Sequence, residues 1–352
     1  MDATGPDRAG PEAVGPEAVG LEAAGLDALL EETGFQGVAL VRAGGRLLLE
    51  AARGEARPGV PATLDTRYDS ADVTKLVTAV TVLREVQRGA LDLELSIHHY
   101  LPVLAGSRIP VAVSLLQLLT HTSGIADIAD EGAGESYEEL FARRSGAGIV
   151  QTADWLPFFV DAEPLAAPGS TVAYCDAGYV LAGLVVEAVT ARPFRDQAAR
   201  AVLAPAGMRD SGFLDRRDDP PRLAIGGDPA DPAWRALWDA APPLGGPAEG
   251  LFATAGDLLR LLDAVVGGRL LDAELTEELL LPQVHADEDT ALGFGLTFDL
   301  DAGAVRSFRA DGVGLGASAM LRRYPREDVD VVVLSNDADG AWELVRELDE
   351  RI

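Results

Sequence analysis

Strand-forming residues are confined to the two ends of this 352-residue chain, and that distribution restricts the fold more than any single motif does. Gly37-Val-Ala-Leu-Val-Arg42 and Arg46-Leu-Leu-Leu-Glu50, split by Ala43-Gly44-Gly45, read as a β-hairpin. Strand-like runs return at residues 317–322 and 329–334. Between them and the hairpin lies a mainly helical stretch with Pro/Gly-rich loops such as Ala241-Pro-Pro-Leu-Gly-Gly-Pro247. First and last segments are therefore expected to share one antiparallel sheet, with the helical part inserted. Leu26, Leu29 and Leu30 suggest a first helix, and Trp342, Val345 and Leu348 a last one within residues 341–352.

Residues 1–20 stand apart. Gly-Pro-Glu-Ala-Val occurs twice in succession from Gly10, and Pro, Gly, Ala and Glu dominate, a low-complexity composition expected to form a disordered tail. The start lacks the basic region and apolar stretch of a secretory signal, which suggests a cytoplasmic protein. A formal charge of −28 and a pI near 4.4 argue against nucleic acid and anionic membranes as partners, since both need basic patches. The bland reading of that charge is a solvated acidic surface. With 48% hydrophobic residues the chain can bury a core of one large domain or two lobes, and no run approaches a transmembrane span.

The chain holds one lysine, Lys75, while arginine supplies the other 28 of its 29 basic residues. Arginine stays protonated and planar, whereas a lysine pKa can shift on burial, so this position is expected to need an amine. Val73, Leu76, Val77, Val80 and Leu83 recur at helical spacing, the pattern of a helix with one buried face that Gly89 ends. Asp72 stands at its start, three residues from Lys75, which places their Cβ atoms roughly 5–6 Å apart on a helix. The duller alternative makes Asp72 an N-cap and no more.

At these residues a family likeness emerges. Ser70-Ala-Asp-Val-Thr-Lys75 resembles the Ser-x-x-Lys helix of serine β-lactamases and penicillin-binding proteins, most of all the class C β-lactamase and esterase branch. Leu118-Leu-Thr-His-Thr-Ser-Gly124, Pro168-Gly-Ser170, Tyr174-Cys-Asp-Ala-Gly-Tyr179, Pro205-Ala-Gly-Met208, Gly250-Leu-Phe-Ala-Thr-Ala-Gly-Asp257 and Val331-Val-Val-Leu-Ser-Asn336 agree in order. The resemblance implies an α/β (α+β) fold: an antiparallel sheet flanked by N- and C-terminal helices, plus an inserted all-helical lobe, with the site between. On that basis the α/β lobe is expected over residues 21–70 and 290–352, and the helical lobe over about 71–289.

Three departures accompany the likeness. The motif serine falls on Asp72, the Tyr-x-Asn motif reads Tyr174-Cys175-Asp176, and the Lys/His-x-Gly motif reads Ala310-Asp311-Gly312. Ser70 does not substitute for the serine, because five residues before Lys75 lies about 140° round a helix. The resemblance thus implies catalytic positions at Asp72, Lys75, Tyr174 and Asp176, and a substrate-binding strand at Ala310, Asp311 and Gly312. Side chains alternate along a strand, so Asp311 is expected to point away while Ala310 and Gly312 face inward.

A carboxylate beside the lysine alters the chemistry. Each charge favours the other, so the pair is expected to rest as an ion pair, leaving no free amine to act as base. Asp176 would put a second carboxylate near the same ammonium, and one of the two acids is then expected to stay protonated. Tyr174 offers a hydroxyl for proton relay. These features lead to acid–base chemistry on a small carbonyl-containing molecule: cyclisation, isomerisation, elimination or hydrolysis, with specialised metabolism as a setting. A non-catalytic homologue that binds a small ligand and a residual esterase remain as alternatives. No cofactor is expected. Three aspartates could hold a hard cation, but Lys75 competes for that place, so no metal is expected. His98-His99 face opposite ways if extended, His121 sits in a turn read as structural, and the sole cysteine, Cys175, excludes an internal disulfide.

Overall fold

The computed structural model describes residues 21–129, 135–227 and 230–352; the tail expected over residues 1–20 lies outside them. Two strands, β1 (Gly37–Ala43) and β2 (Arg46–Arg53), form the hairpin that the sequence suggests. Its turn places Gly44 and Gly45 at φ +55° and +75°, where a side chain would be strained.

Six strands from the last quarter of the chain complete the sheet: β3 (Val284–His285), β4 (Thr290–Leu292), β5 (Thr297–Asp301), β6 (Ala304–Gly314), β7 (Ala317–Tyr324) and β8 (Val329–Ser335). Their order is β2-β1-β8-β7-β6-β5-β4-β3, every neighbouring pair antiparallel. The last strand pairs with the first, from Val38 opposite Leu334 to Ala43 opposite Val329, so the ends of the domain close on each other.

The sheet resumes at Val284, earlier than the 290 expected, and it includes β3 to β5, which the sequence did not suggest, while β6 contains the strand that the resemblance placed at Ala310, Asp311 and Gly312. Polar residues disguise β6. Phe308 and Ala310 are buried on one face, while Arg309 and Asp311 sit on the other and pair with one another and with Asp299 of β5. Charges that neutralise each other across strands break the local alternation of apolar and polar that identifies a strand.

Helices cover both faces. On one side α1 (Ala23–Glu32) and α5 (Trp342–Asp349) bury Leu26, Leu29, Leu30, Leu344 and Leu348 against Val41, Val331 and Val333. Each such side chain contributes roughly 1.5–3 kcal/mol of apolar transfer energy. On the other side α2 (Val73–Gln87) and α4 (Ala255–Val266) pack on the sheet, and α3 (Asp176–Thr190) packs on α2. The helical insertion is thus joined to the sheet by one continuous core rather than forming a lobe with its own.

Helix α2 departs from the expectation of a single buried face. It is buried all round, because its polar flank carries threonines that find partners inside. Thr78 donates to the Pro247 carbonyl at 2.6 Å, Thr81 to the Val77 carbonyl at 2.7 Å, and Thr74 accepts from the Leu251 amide at 3.1 Å. A hydroxyl that is hydrogen-bonded can be buried at little net cost.

Candidate active site

The start of α2 is delivered by a strained turn. Ala71 adopts φ +45°, a left-handed conformation costing a non-glycine residue on the order of 1–3 kcal/mol. Its surroundings hold it there. The Ala71 amide donates to Asp69 Oδ1 at 2.9 Å, and Ser70 uses both its amide and its hydroxyl on the Leu251 carbonyl, at 2.9 and 2.7 Å. Fully buried and so engaged, Ser70 has no access to the cleft.

Beyond this turn Asp72 makes no capping bond to the helix backbone. Its carboxylate turns sideways: Oδ1 lies 2.6 Å from Lys75 Nζ, and Oδ2 accepts the Tyr174 hydroxyl at 2.6 Å. Asp176, the first residue of α3, brings its Oδ1 to 2.6 Å from the same ammonium. Asp72, Lys75, Tyr174 and Asp176 therefore meet in one cluster, with Lys75 2% exposed.

Neighbours that the sequence did not single out complete the cluster. The Tyr137 hydroxyl donates to Asp176 Oδ2 at 2.5 Å. Asp127 accepts the amides of Asp176 and Ala177 at 3.1 and 2.9 Å, satisfying the first N–H groups of α3. Nothing local marks Tyr137 or Asp127, which come from segments remote in sequence. His121, in its left-handed turn at φ +56°, accepts the Cys175 amide on Nδ1 at 2.9 Å and stacks on the Tyr174 ring at 4.3 Å. It serves as a prop for the tyrosine. His98 contacts the Ile109 carbonyl, away from this cluster.

The third expected segment splits as strand alternation requires. Gly312 lies against Asp72, so close that a Cβ on it would come within 2.5 Å of the Asp72 Cβ. Ala310 is buried on the same face. Asp311 lies on the opposite face and pairs with Arg309. Burial raises its pKa, and the guanidinium opposes that rise.

Charge is unevenly shared. Burial opposes the Lys75 charge, but the carboxylates of Asp176 and Asp72 outweigh it and hold the lysine well above its ordinary pKa. Burial pushes Asp72 up to about 6 even against the lysine. Asp176 is also buried, yet Lys75 and the Tyr137 hydroxyl hold it below the usual carboxylate range. Of the two acids it is thus Asp72 whose proton is exchangeable near neutrality. Tyr174 is raised well above its ordinary value, by burial first and then by the negative charge of Asp72. Burial and the lysine bring His121 down to about 3, so it is neutral. Burial raises the Cys175 thiol, which stays protonated.

Beside the cluster a cavity of about 280 Å³ is lined by Tyr137, Phe141, Trp155, Glu249 and Val313. Burial, and the charges of Asp176, Asp69 and Asp72, push Glu249 up to about 8.

Comparison with known proteins accounts for this arrangement. The beta-lactamase family profile matches residues 23–351. Penicillin-binding protein 4 of Amycolatopsis lactamdurans is 30% identical over 295 residues, 79% of this chain and 74% of its own. Esterase EstB of Burkholderia gladioli is 34% identical over 274 residues, 68% of this chain and 67% of its own. The crystal structure of a penicillin-binding protein from Bacillus halodurans superposes with a TM-score of 0.86 at 28% identity, covering 93% of this chain and all of that one. The sheet closed by first and last strands and the inserted helices are thus those of a member of the beta-lactamase family, to which this chain belongs.

Proposed function

We propose that this protein carries out acid–base chemistry on a small carbonyl-containing molecule, with Asp72 as the base and without a serine acyl-enzyme. One observation carries the reading: the groups that could deprotonate a serine are both held protonated. Lys75 is locked between two carboxylates 2.6 Å away, and Tyr174 has its pKa raised by burial and by Asp72. Asp72 itself stands where the family resemblance puts the serine. A useful base must be free of its proton at working pH, and Asp72, with its pKa at about 6, meets that condition above that pH.

The roles follow from position. Tyr174 lines the cleft beside Lys75 and is bonded to Asp72, so it can pass a proton between a bound molecule and the carboxylate. Lys75 is buried and acts through Asp72, holding the carboxylate in place. Asp176 keeps the lysine charged. Gly312 and Ala310 line the strand against which substrate would lie, with Asp311 behind it. Cyclisation, isomerisation, elimination and hydrolysis share this first proton transfer and differ in what leaves. An esterase among the relatives supports a carbonyl-containing substrate.

The test combines a fluorophosphonate serine probe with turnover of a panel of small esters, amides and lactams. Absence of labelling, together with turnover that falls at least 100-fold in Asp72→Asn, is expected. Labelling of the wild-type protein would restore serine chemistry and a residual esterase. A second reading, a homologue that binds a ligand without transforming it, draws on the engagement of both Asp72 oxygens. Ligand binding unaffected by Asp72→Asn, with turnover of nothing in the panel, would favour it.

A further inference from the structure

We infer that the cavity beside the Asp72–Lys75 pair receives a primary ammonium group on the bound molecule, and that Glu249 is its counter-ion. The inference rests on this cleft being the substrate site, and it names the class of substrate: a small aryl or alkyl amine whose carbonyl faces Asp72.

The cavity adjoins the reactive cluster on two sides. Tyr137, whose hydroxyl is bonded to Asp176, forms one wall. Val313 and Gly314, which follow the Gly312 packed on Asp72, form another. A third wall is aromatic: the Tyr137 and Phe141 rings lie 5.8 Å apart, and Phe141 and Trp155 lie 6.3 Å apart. The faces of such rings attract a cation placed over them.

Charge makes the same selection. Around the cluster and cavity stand six carboxyl groups, from Asp69, Asp72, Asp127, Glu138, Asp176 and Glu249, against the two cations Lys75 and Arg216. Both cations are already engaged, and Arg216, which also lines the cavity, feels the charges of Asp69 and Glu249. Lys75 is buried between two carboxylates, and the Arg216 guanidinium sits 4.2 Å from the Trp238 ring centre while donating to the Pro242 carbonyl. The crowded carboxyl groups raise one another's pKa, so an anionic ligand would add to that repulsion, whereas an ammonium would relieve it. Four of the six acids already have partners. The exchangeable lone pairs of Asp72, Asp127 and Asp176 are taken as described above, and Asp69 accepts from the Ala71 amide. Glu249 and Glu138 both line the cavity and make no side-chain hydrogen bond or ion pair among the described residues; Glu138 is exposed to solvent, whereas Glu249 is half-buried, which makes Glu249 the counter-ion for a group held in the cavity.

An ammonium leaving water must recover its hydration from charged or π partners, and a carboxylate with an aromatic wall supplies both. Because Glu249 titrates at about 8 in the empty site, bound ammonium at pH 7 should draw out its proton.

The probe pair is phenethylammonium chloride and phenethyl alcohol, which match in shape and differ in charge. Calorimetry at pH 7, repeated in phosphate and in Tris, measures affinity and proton release together. Wild-type protein is expected to bind the ammonium at least ten-fold tighter than the alcohol and to release about one proton per molecule bound. Glu249→Gln and Glu249→Ala should each lose the preference and the proton release, with unchanged melting temperature. Asp72→Asn should keep the preference for the ammonium while losing turnover, so that this inference and the proposed function fail separately. Equal binding of the two probes, binding of neither, or a preference that survives both Glu249 variants would overturn the assignment. So would a preference abolished by Asp72→Asn, which would move the counter-ion to Asp72.

Discussion

Replacing Lys75 by methionine keeps much of the side chain's length and removes its charge, which makes it the sharpest test of the cluster's energetics. Each partner oxygen lies 2.6 Å from Nζ, so the Asp72 and Asp176 oxygens are at most twice that distance apart. Without the ammonium, two unit charges about 5 Å apart repel by about 3 kcal/mol at an effective dielectric constant of about 20. At 1.36 kcal/mol per unit, that displaces one carboxyl pKa upward by roughly two units. Removing one partner from a buried ionic cluster costs about 3–5 kcal/mol, a large part of the roughly 5–15 kcal/mol that holds a protein folded.

The sign of the pH dependence is set by which state binds the proton. In the variant the raised carboxyl binds a proton in the folded state at pH values where the unfolded chain has released it. Stability lost at pH 8 should therefore return as pH falls through the raised pKa. The expected deficit relative to wild type is about 3–5 kcal/mol at pH 8 and about 1–2 kcal/mol at pH 5. Near the melting transition the larger figure corresponds to a drop of roughly 4–7 °C for a chain of this size. Urea titrations followed by tryptophan fluorescence at both pH values measure it. Lys75→Met/Asp72→Asn, which removes one of the two opposed charges, should recover most of the loss at pH 8. A deficit equal at both pH values, or a double variant no better than the single, would refute the reasoning.

Lys75→Arg keeps the charge but replaces a compact ammonium with a planar fork, in a pocket walled by the Tyr174 and Tyr179 rings at 4.8 and 5.9 Å. Turnover should fall at least ten-fold, and full activity would contradict the need for an amine. Asp72→Ser by itself should react poorly with a fluorophosphonate, because Asp176 still holds the lysine charged. Adding Asp176→Asn removes that hold, burial then lowers the lysine pKa, and labelling should accelerate at least ten-fold. Gly312→Ala forces a methyl group to within 2.5 Å of Asp72. A loss of about 1–3 kcal/mol in urea is expected from such overpacking, with loss of the Asp72–Tyr174 contact seen by crystallography.

Much of the fold was legible in local pattern. The hairpin is spelled by alternating and apolar runs around Gly44 and Gly45, and the terminal helices by leucines at helical spacing. Strand β5 was hidden, and β6 was reached only through the family likeness, because Asp299, Arg309, Asp311 and Arg322 neutralise one another and read locally as loop. Helix α2 read as half-exposed, since nothing in its own sequence says that Thr78 will meet the Pro247 carbonyl.

The residues themselves determined that an acid and an amine would share one helical face at Asp72 and Lys75, because three-residue spacing on a helix leaves no other outcome. They also dictated that Gly312 and Asp311 would part company, since a strand alternates. Only the tertiary structure decided which acid keeps its proton longer: Lys75 and the Tyr137 hydroxyl hold Asp176 low against its burial, while burial and the charge of Asp176 hold Asp72 up. It alone brought Glu249, Glu138 and the aromatic wall beside them. A pKa and a pocket are set by groups distant in sequence and adjacent in space, and pattern along the chain carries no record of that adjacency.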